Sequence, residues 1–86
     1  MDLITSIEEH YKLIHKCRNE IAELKTKKAE KRNRYWGEAT GIADQKKDYI
    51  KAMTGNIDEA IRKEEANIEY HYNMIEVLNM RLFEDE

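Results

Sequence analysis

The chain has 86 residues, 38% of them charged and 8% aromatic, with a formal net charge of −3, one cysteine and no proline. That length allows one small domain at most, and a chain so short buries only about 60–65% of the surface its unfolded form exposes, so its core calls for self-association or a larger partner. The charge content exceeds the roughly 25% of ordinary domains and suits long exposed helices or a coiled coil, while the lack of any run of about eighteen apolar residues excludes a membrane-spanning helix.

The start of the chain, Met1-Asp2-Leu3-Ile4-Thr5-Ser6-Ile7-Glu8-Glu9, is acidic and too poor in apolar residues for a secretory signal. A lone Cys17 cannot close an intramolecular disulfide and points to a reducing compartment. The expectation is a soluble cytoplasmic protein without a membrane partner. The net charge is unevenly spread: residues 25–51 hold nine bases and four acids, net +5. Residues 1–24 hold three bases and five acids, net −2, and residues 52–86 hold three bases and nine acids, net −6.

A first helix is expected over about 4–36. Ser6 followed by Glu9 has the spacing of a capping box, with Thr5 as the other candidate cap. Ile7, Ile14 and Ile21 recur every seven residues, with Leu3, His10, Cys17 and Leu24 between them. Such a stripe needs a second helix to cover it. Lysines and arginines crowd residues 25–34, where cations offset the negative end of a helix.

Gly37 and Gly41 bracket an expected turn at about 37–41, with Gly37 ending the first helix and Thr40 capping the next. A second helix then covers about 42–54. Thr54-Gly55-Asn56 marks a possible second break, because Asn56 and Glu59 make a weaker capping arrangement. From about 57 to 84 the apolar beat resumes in Ile57, Ile61, Ile68, Ile75, Leu78 and Leu82. This last stretch is either a third helix or the continuation of the second. If continuous, it outruns the first helix by about ten residues, or about 15 Å, and leaves Ile75, Leu78 and Leu82 without cover from their own chain.

Polar residues intrude into this stripe. His10, Cys17, Glu64 and His71 hold positions that the repeat assigns to the seam. A fold-back near residue 39 places His71 beside Ile7 and His10, and Glu64 beside Ile14 and Cys17. Zinc needs three or four such groups converging at about 2.0–2.3 Å, and no Cys-x-x-Cys or His-Glu-x-x-His spacing occurs. The pattern reads instead as polar layers that set register or oligomeric state. Two facing histidines would also respond to pH in the range where imidazoles titrate. No nucleophile with a base, phosphate loop or cofactor motif is visible, so neither catalysis nor a cofactor is expected.

The basic, aromatic segment at the turn carries the clearest ligand chemistry. Lys27, Lys28, Lys31, Arg32 and Arg34 lead directly into Tyr35 and the only tryptophan, Trp36. Lys47 arrives on the return helix, with Lys46 and Lys51 near it. Bases attract phosphate and flat rings stack on nucleobases. The acidic last third, interspersed with Tyr70, Tyr72, Met74, Met80 and Phe83, would suit a basic protein groove. Trp36-Gly37 between two long helices resembles the WXG-type helical hairpins, partner proteins of a bacterial export system. That pattern separates Trp from Gly by one residue, whereas here they adjoin, so no residue roles follow from it.

Taken together, the residues predict an all-α, coiled-coil-like antiparallel hairpin or a short three-helix bundle, oligomeric in either case. Its seam is Ile7, Ile14, Ile21, Leu24, Ile57, Ile61, Ile68, Ile75, Leu78 and Leu82. The expected work is non-enzymatic: binding or blocking a protein partner, as a homodimer through the isoleucines. The alternative is binding of nucleic acid or a nucleotide at the basic tip.

Overall fold

A computed structural model describes residues 2–84 and contains two long helices. Helix α1 spans Leu3–Glu38 and helix α2 spans Ala43–Glu84. They pack against each other along a rod measuring 65 × 17 × 14 Å. The long dimension matches α2 itself, whose 42 residues at 1.5 Å each give about 63 Å. The hairpin alternative is therefore the one adopted, and the three-helix alternative is not.

The capping residues differ from the expected ones. Asp2, not Ser6 or Thr5, caps α1, its carboxylate accepting from the Thr5 amide at 2.7 Å. That bond holds the Asp2 carboxyl below its usual range. At the other end Gly37 stays helical, and Ala39 leaves the helix in an extended conformation while donating to the Tyr35 carbonyl at 2.8 Å. The turn is made at Gly41, whose φ of +103° is a conformation that side chains rarely take. Thr40 does not cap α2. Instead the Gln45 side-chain oxygen accepts from the Ile42 amide at 3.2 Å, and the Ile42 carbonyl accepts from the Lys46 amide at 3.0 Å. This is the reaching-back half of a capping box.

Gly55 does not break α2. A helical glycine costs roughly 1 kcal/mol against alanine, but Ile50, Thr54, Ile57 and Ile61 around it are all buried. Burying an isoleucine side chain contributes about 1.5–3 kcal/mol, so packing outweighs the local preference. The Thr54 hydroxyl, in a residue only 1% exposed, donates to the Ile50 carbonyl at 2.8 Å.

Register follows from contacts across the hairpin. His10 meets His71, Lys28 meets Asp58 and Tyr35 meets Tyr49, pairs whose midpoints all fall between residues 40 and 43. Of the ten seam residues, Ile14, Ile57, Ile61, Ile75 and Leu78 are buried, and Ile7, Ile21, Leu24, Ile68 and Leu82 are half-buried. One chain thus covers its own stripe. The expected overhang, with Ile75, Leu78 and Leu82 uncovered, does not form. The helices have 36 and 42 residues, a difference worth about 9 Å. Ile75 and Leu78, only 5% and 7% exposed, lie within the reach of α1. The exposed end is Met80 and Phe83, at 60% and 77%.

A basic groove as candidate functional site

The seven-residue beat of α1 does not stop at Leu24. It continues as Lys28, Lys31 and Tyr35, all half-buried. Here the seam carries long polar side chains where the terminal half carries isoleucine. Long amphipathic side chains lay their stems along the partner and turn their heads to water. The helices consequently do not close over each other with apolar bulk, and a groove of about 610 Å³ opens beside the seam.

Helical spacing explains the lining. Lys28, Arg32 and Trp36 follow at intervals of four on α1, flanked by Ala29 and Asn33. Lys47, Lys51, Thr54 and Asp58 line up on α2, with Ile50 between them. Residues three and four apart share a helix face, so each set forms one wall. Ile50 and Thr54, 8% and 1% exposed, make the floor.

The electrostatics are one-sided. Four cations line the groove against one acid, Asp58. Lys28 pairs with Asp58 at 2.5 Å, their side chains 30% and 35% exposed. Among the described residues Arg32, Lys47 and Lys51 have no acidic partner within 4.0 Å. Cations gathered in a concave wall focus their field and draw in anions. Trp36 is 42% exposed. The Lys46 ammonium lies 5.1 Å from the centre of its ring and donates to its carbonyl at 3.5 Å.

Of the residues expected at the basic tip, Lys28, Arg32, Trp36 and Lys47 meet in the groove. Lys27, Lys31, Arg34 and Tyr35 do not. Lys27 lies on another flank, with Ala22, Glu23, Thr26 and Glu30. Lys31 sits in the seam. Arg34 lies over Tyr35, 5.0 Å from its ring centre, and Tyr35 meets Tyr49 edge-on at 6.0 Å. Asp58, Thr54, Ile50, Ala29 and Asn33 escaped the sequence reading. Their signal was the four-residue spacing itself: Ala29 and Asn33 flank Lys28, Arg32 and Trp36, while Thr54 and Asp58 continue Lys47 and Lys51. Trp36-Gly37 belongs to the last turn of α1 and not to the connection between helices.

The polar layers of the terminal half pair with each other. The Nδ1 atoms of His10 and His71 lie 2.9 Å apart, with ring centres at 5.1 Å and Tyr70 edge-on to His71 at 5.3 Å. One ring donates and the other accepts. Burial pushes the Cys17 thiol up from its ordinary range, and the nearby Glu64 carboxylate adds to the shift. Among the described residues no three of His, Cys, Asp or Glu converge to hold a metal, and no described helix is long and apolar enough to cross a membrane. Comparison with protein families, with curated proteins and with solved structures finds no match for this chain.

Proposed function

We propose that this protein is a non-enzymatic binding module whose groove takes a phosphate-bearing ligand, a nucleic acid or a nucleotide. The observation that supports this is the meeting of Arg32, Lys47 and Lys51, without acidic partners among the described residues, beside a half-exposed Trp36 in one concavity. An anion relieves the mutual repulsion of these three cations, and phosphate offers several acceptor oxygens at once. A single free cysteine, Cys17, fits a cytoplasmic setting.

The test is anisotropy of a labelled single-stranded oligonucleotide across a salt series. Three phosphate contacts give a slope of log K on log salt of about −2. Reversal of all three groove charges, Arg32→Glu, Lys47→Glu and Lys51→Glu, should abolish binding. Unchanged binding after reversal, or none at low salt, removes the proposal.

Binding to a protein partner is the second reading, and its support lies at the opposite end. Met80 and Phe83 are exposed in a shallow depression with Glu76, Asn79 and Glu84. Apolar side chains flanked by acids complement a basic amphipathic segment. A second copy is a poorer occupant, because an isologous contact would bring Glu76 and Glu84 against their own counterparts. Since the isoleucines are covered within one chain, a homodimer has no need of that stripe. Light scattering at micromolar concentration separates these cases: a mass of one chain, unchanged by Phe83→Ser, removes the homodimer and leaves the basic segment to be sought.

A further inference from the structure

Resting on the phosphate reading of the groove, we infer that the ligand is a single nucleic-acid strand with one base stacked on Trp36. Three features of the groove lead there.

The first is reach. From Lys28 to Trp36 the wall of α1 runs for eight residues, about 12 Å at the helical rise. That length matches two to three nucleotides of one strand, whose charges repeat every ~3.4 Å when stacked and further apart when extended. It is more than one phosphate needs. The cations spread along it, with Lys28 and Arg32 on one wall and Lys47 and Lys51 on the other.

The second is size. The groove encloses about 610 Å³, the volume of a pocket that takes small-molecule-sized groups. A duplex keeps its bases paired and stacked inside a stiff helix, so it could touch the outer cations with its phosphates but would leave the Trp36 ring uncontacted. A single strand can lower a base between the walls.

The third is the ring. Trp36 stands at the turn end of the row of cations with 42% of its surface open. Lys46 lies over its ring; a base stacks on the opposite face or replaces the ammonium, which then joins the phosphate contacts. A site for bare phosphate needs no aromatic wall, and a site for an acidic peptide gains little from one. Stacking is tolerant of sequence because every base has a flat face, so the groove should accept strands with little regard to sequence.

Trp36 is the only tryptophan, so its intrinsic fluorescence reports on this groove alone. At low salt the protein is titrated with a short oligodeoxythymidylate strand, a duplex of matched length, a mononucleotide and inorganic tripolyphosphate. The strand is expected to quench Trp36 and to bind more tightly than the other three. Trp36→Leu, read by anisotropy, should lower affinity for the strand about tenfold or more, with the salt slope unchanged and with Trp36→Tyr restoring most of it. Circular dichroism shows whether either variant retains the helices. Duplex or tripolyphosphate binding as tightly as the strand overturns the inference while leaving a phosphate site, as does full affinity in folded Trp36→Leu. A mononucleotide that matches the strand replaces it as the ligand. If nothing binds, the phosphate reading itself fails.

Discussion

The two ends of the α1–α2 seam follow one seven-residue beat but fill it differently. Toward the termini, Ile7, Ile14, Ile21 and Leu24 face Ile57, Ile61, Ile68, Ile75 and Leu78, interrupted only by His10 with His71 and Cys17 near Glu64. His10 and His71 satisfy each other, and the seam closes. Toward the turn, Lys28, Lys31 and Tyr35 hold the same positions on α1, while α2 still offers Ile50, Thr54 and Ile57. Spacing alone keeps both ends helical and in contact. What fills the spacing decides whether the contact is a core or a groove. The closed half stabilises, and the open half leaves a groove lined by cations.

Truncations break this comparison most directly. Ile14→Ala, at a residue 2% exposed in the closed half, should cost about 3 kcal/mol by urea denaturation followed through helical circular dichroism. Ile50→Ala, on the groove floor, should cost about 2 kcal/mol, because one side of it already faces the opening. Equal or reversed costs would mean that the turn end is as tightly cored as the terminal end.

Glycine substitutions come next, and their signs differ. Gly41→Ala should lose about 1–2 kcal/mol, since its φ of +103° crowds a Cβ and the Gln45 side chain occupies the space. Gly37→Ala and Gly55→Ala should each gain about 0.5–1 kcal/mol, as both are helical and an added Cβ meets nothing within 4 Å. A loss at Gly55→Ala would restore a helix break there.

Extending the closed half into the open one sharpens the comparison. Lys31→Leu places an apolar residue on the seam beat without entering the groove, and should add about 1 kcal/mol with ligand affinity unchanged. A loss of stability would show that the lysine stem already packs as well as leucine does.

The smallest effect is one of pH. Burial, followed by the Glu64 carboxylate, raises the Cys17 thiol above the ordinary thiol value of 9.0, to which unfolding returns it. The folded state therefore favours the neutral thiol, so its contribution is whole below pH 9.0 and is lost as pH rises toward the folded value. The urea midpoint should fall more steeply above that pH in the parent than in Cys17→Ala. Parallel profiles would show that Cys17 ionises as freely in the hairpin as in the unfolded chain.

Much of this was legible beforehand. The isoleucine beat and the missing proline announced long helices in contact. The His10–His71 and Cys17–Glu64 layers followed from folding the chain back near residue 39. The beat was lost after Leu24 because Lys28 and Lys31 look like solvated charge, although their spacing continues the stripe. By composition Asp58 belongs to the acidic last third, whereas register sets it against Lys28. Ser6 and Thr40 are good capping residues that other groups forestall: Asp2 begins α1 earlier, and Gln45 closes the turn back onto Ile42; Asn56 caps nothing because α2 runs through it unbroken.

What is periodic and local is written along the chain: two amphipathic helices, their apolar faces, the basic turn end and the acidic last third. Tertiary structure alone decided that α2 passes through Gly55 unbroken, that one chain covers its own isoleucines, and that Lys28, Arg32 and Trp36 meet Lys47, Lys51 and Asp58. The reason is that a helix face is written by spacing along one segment. Which faces meet depends on the register, and a single turn at Gly41 sets it for every pair along both helices.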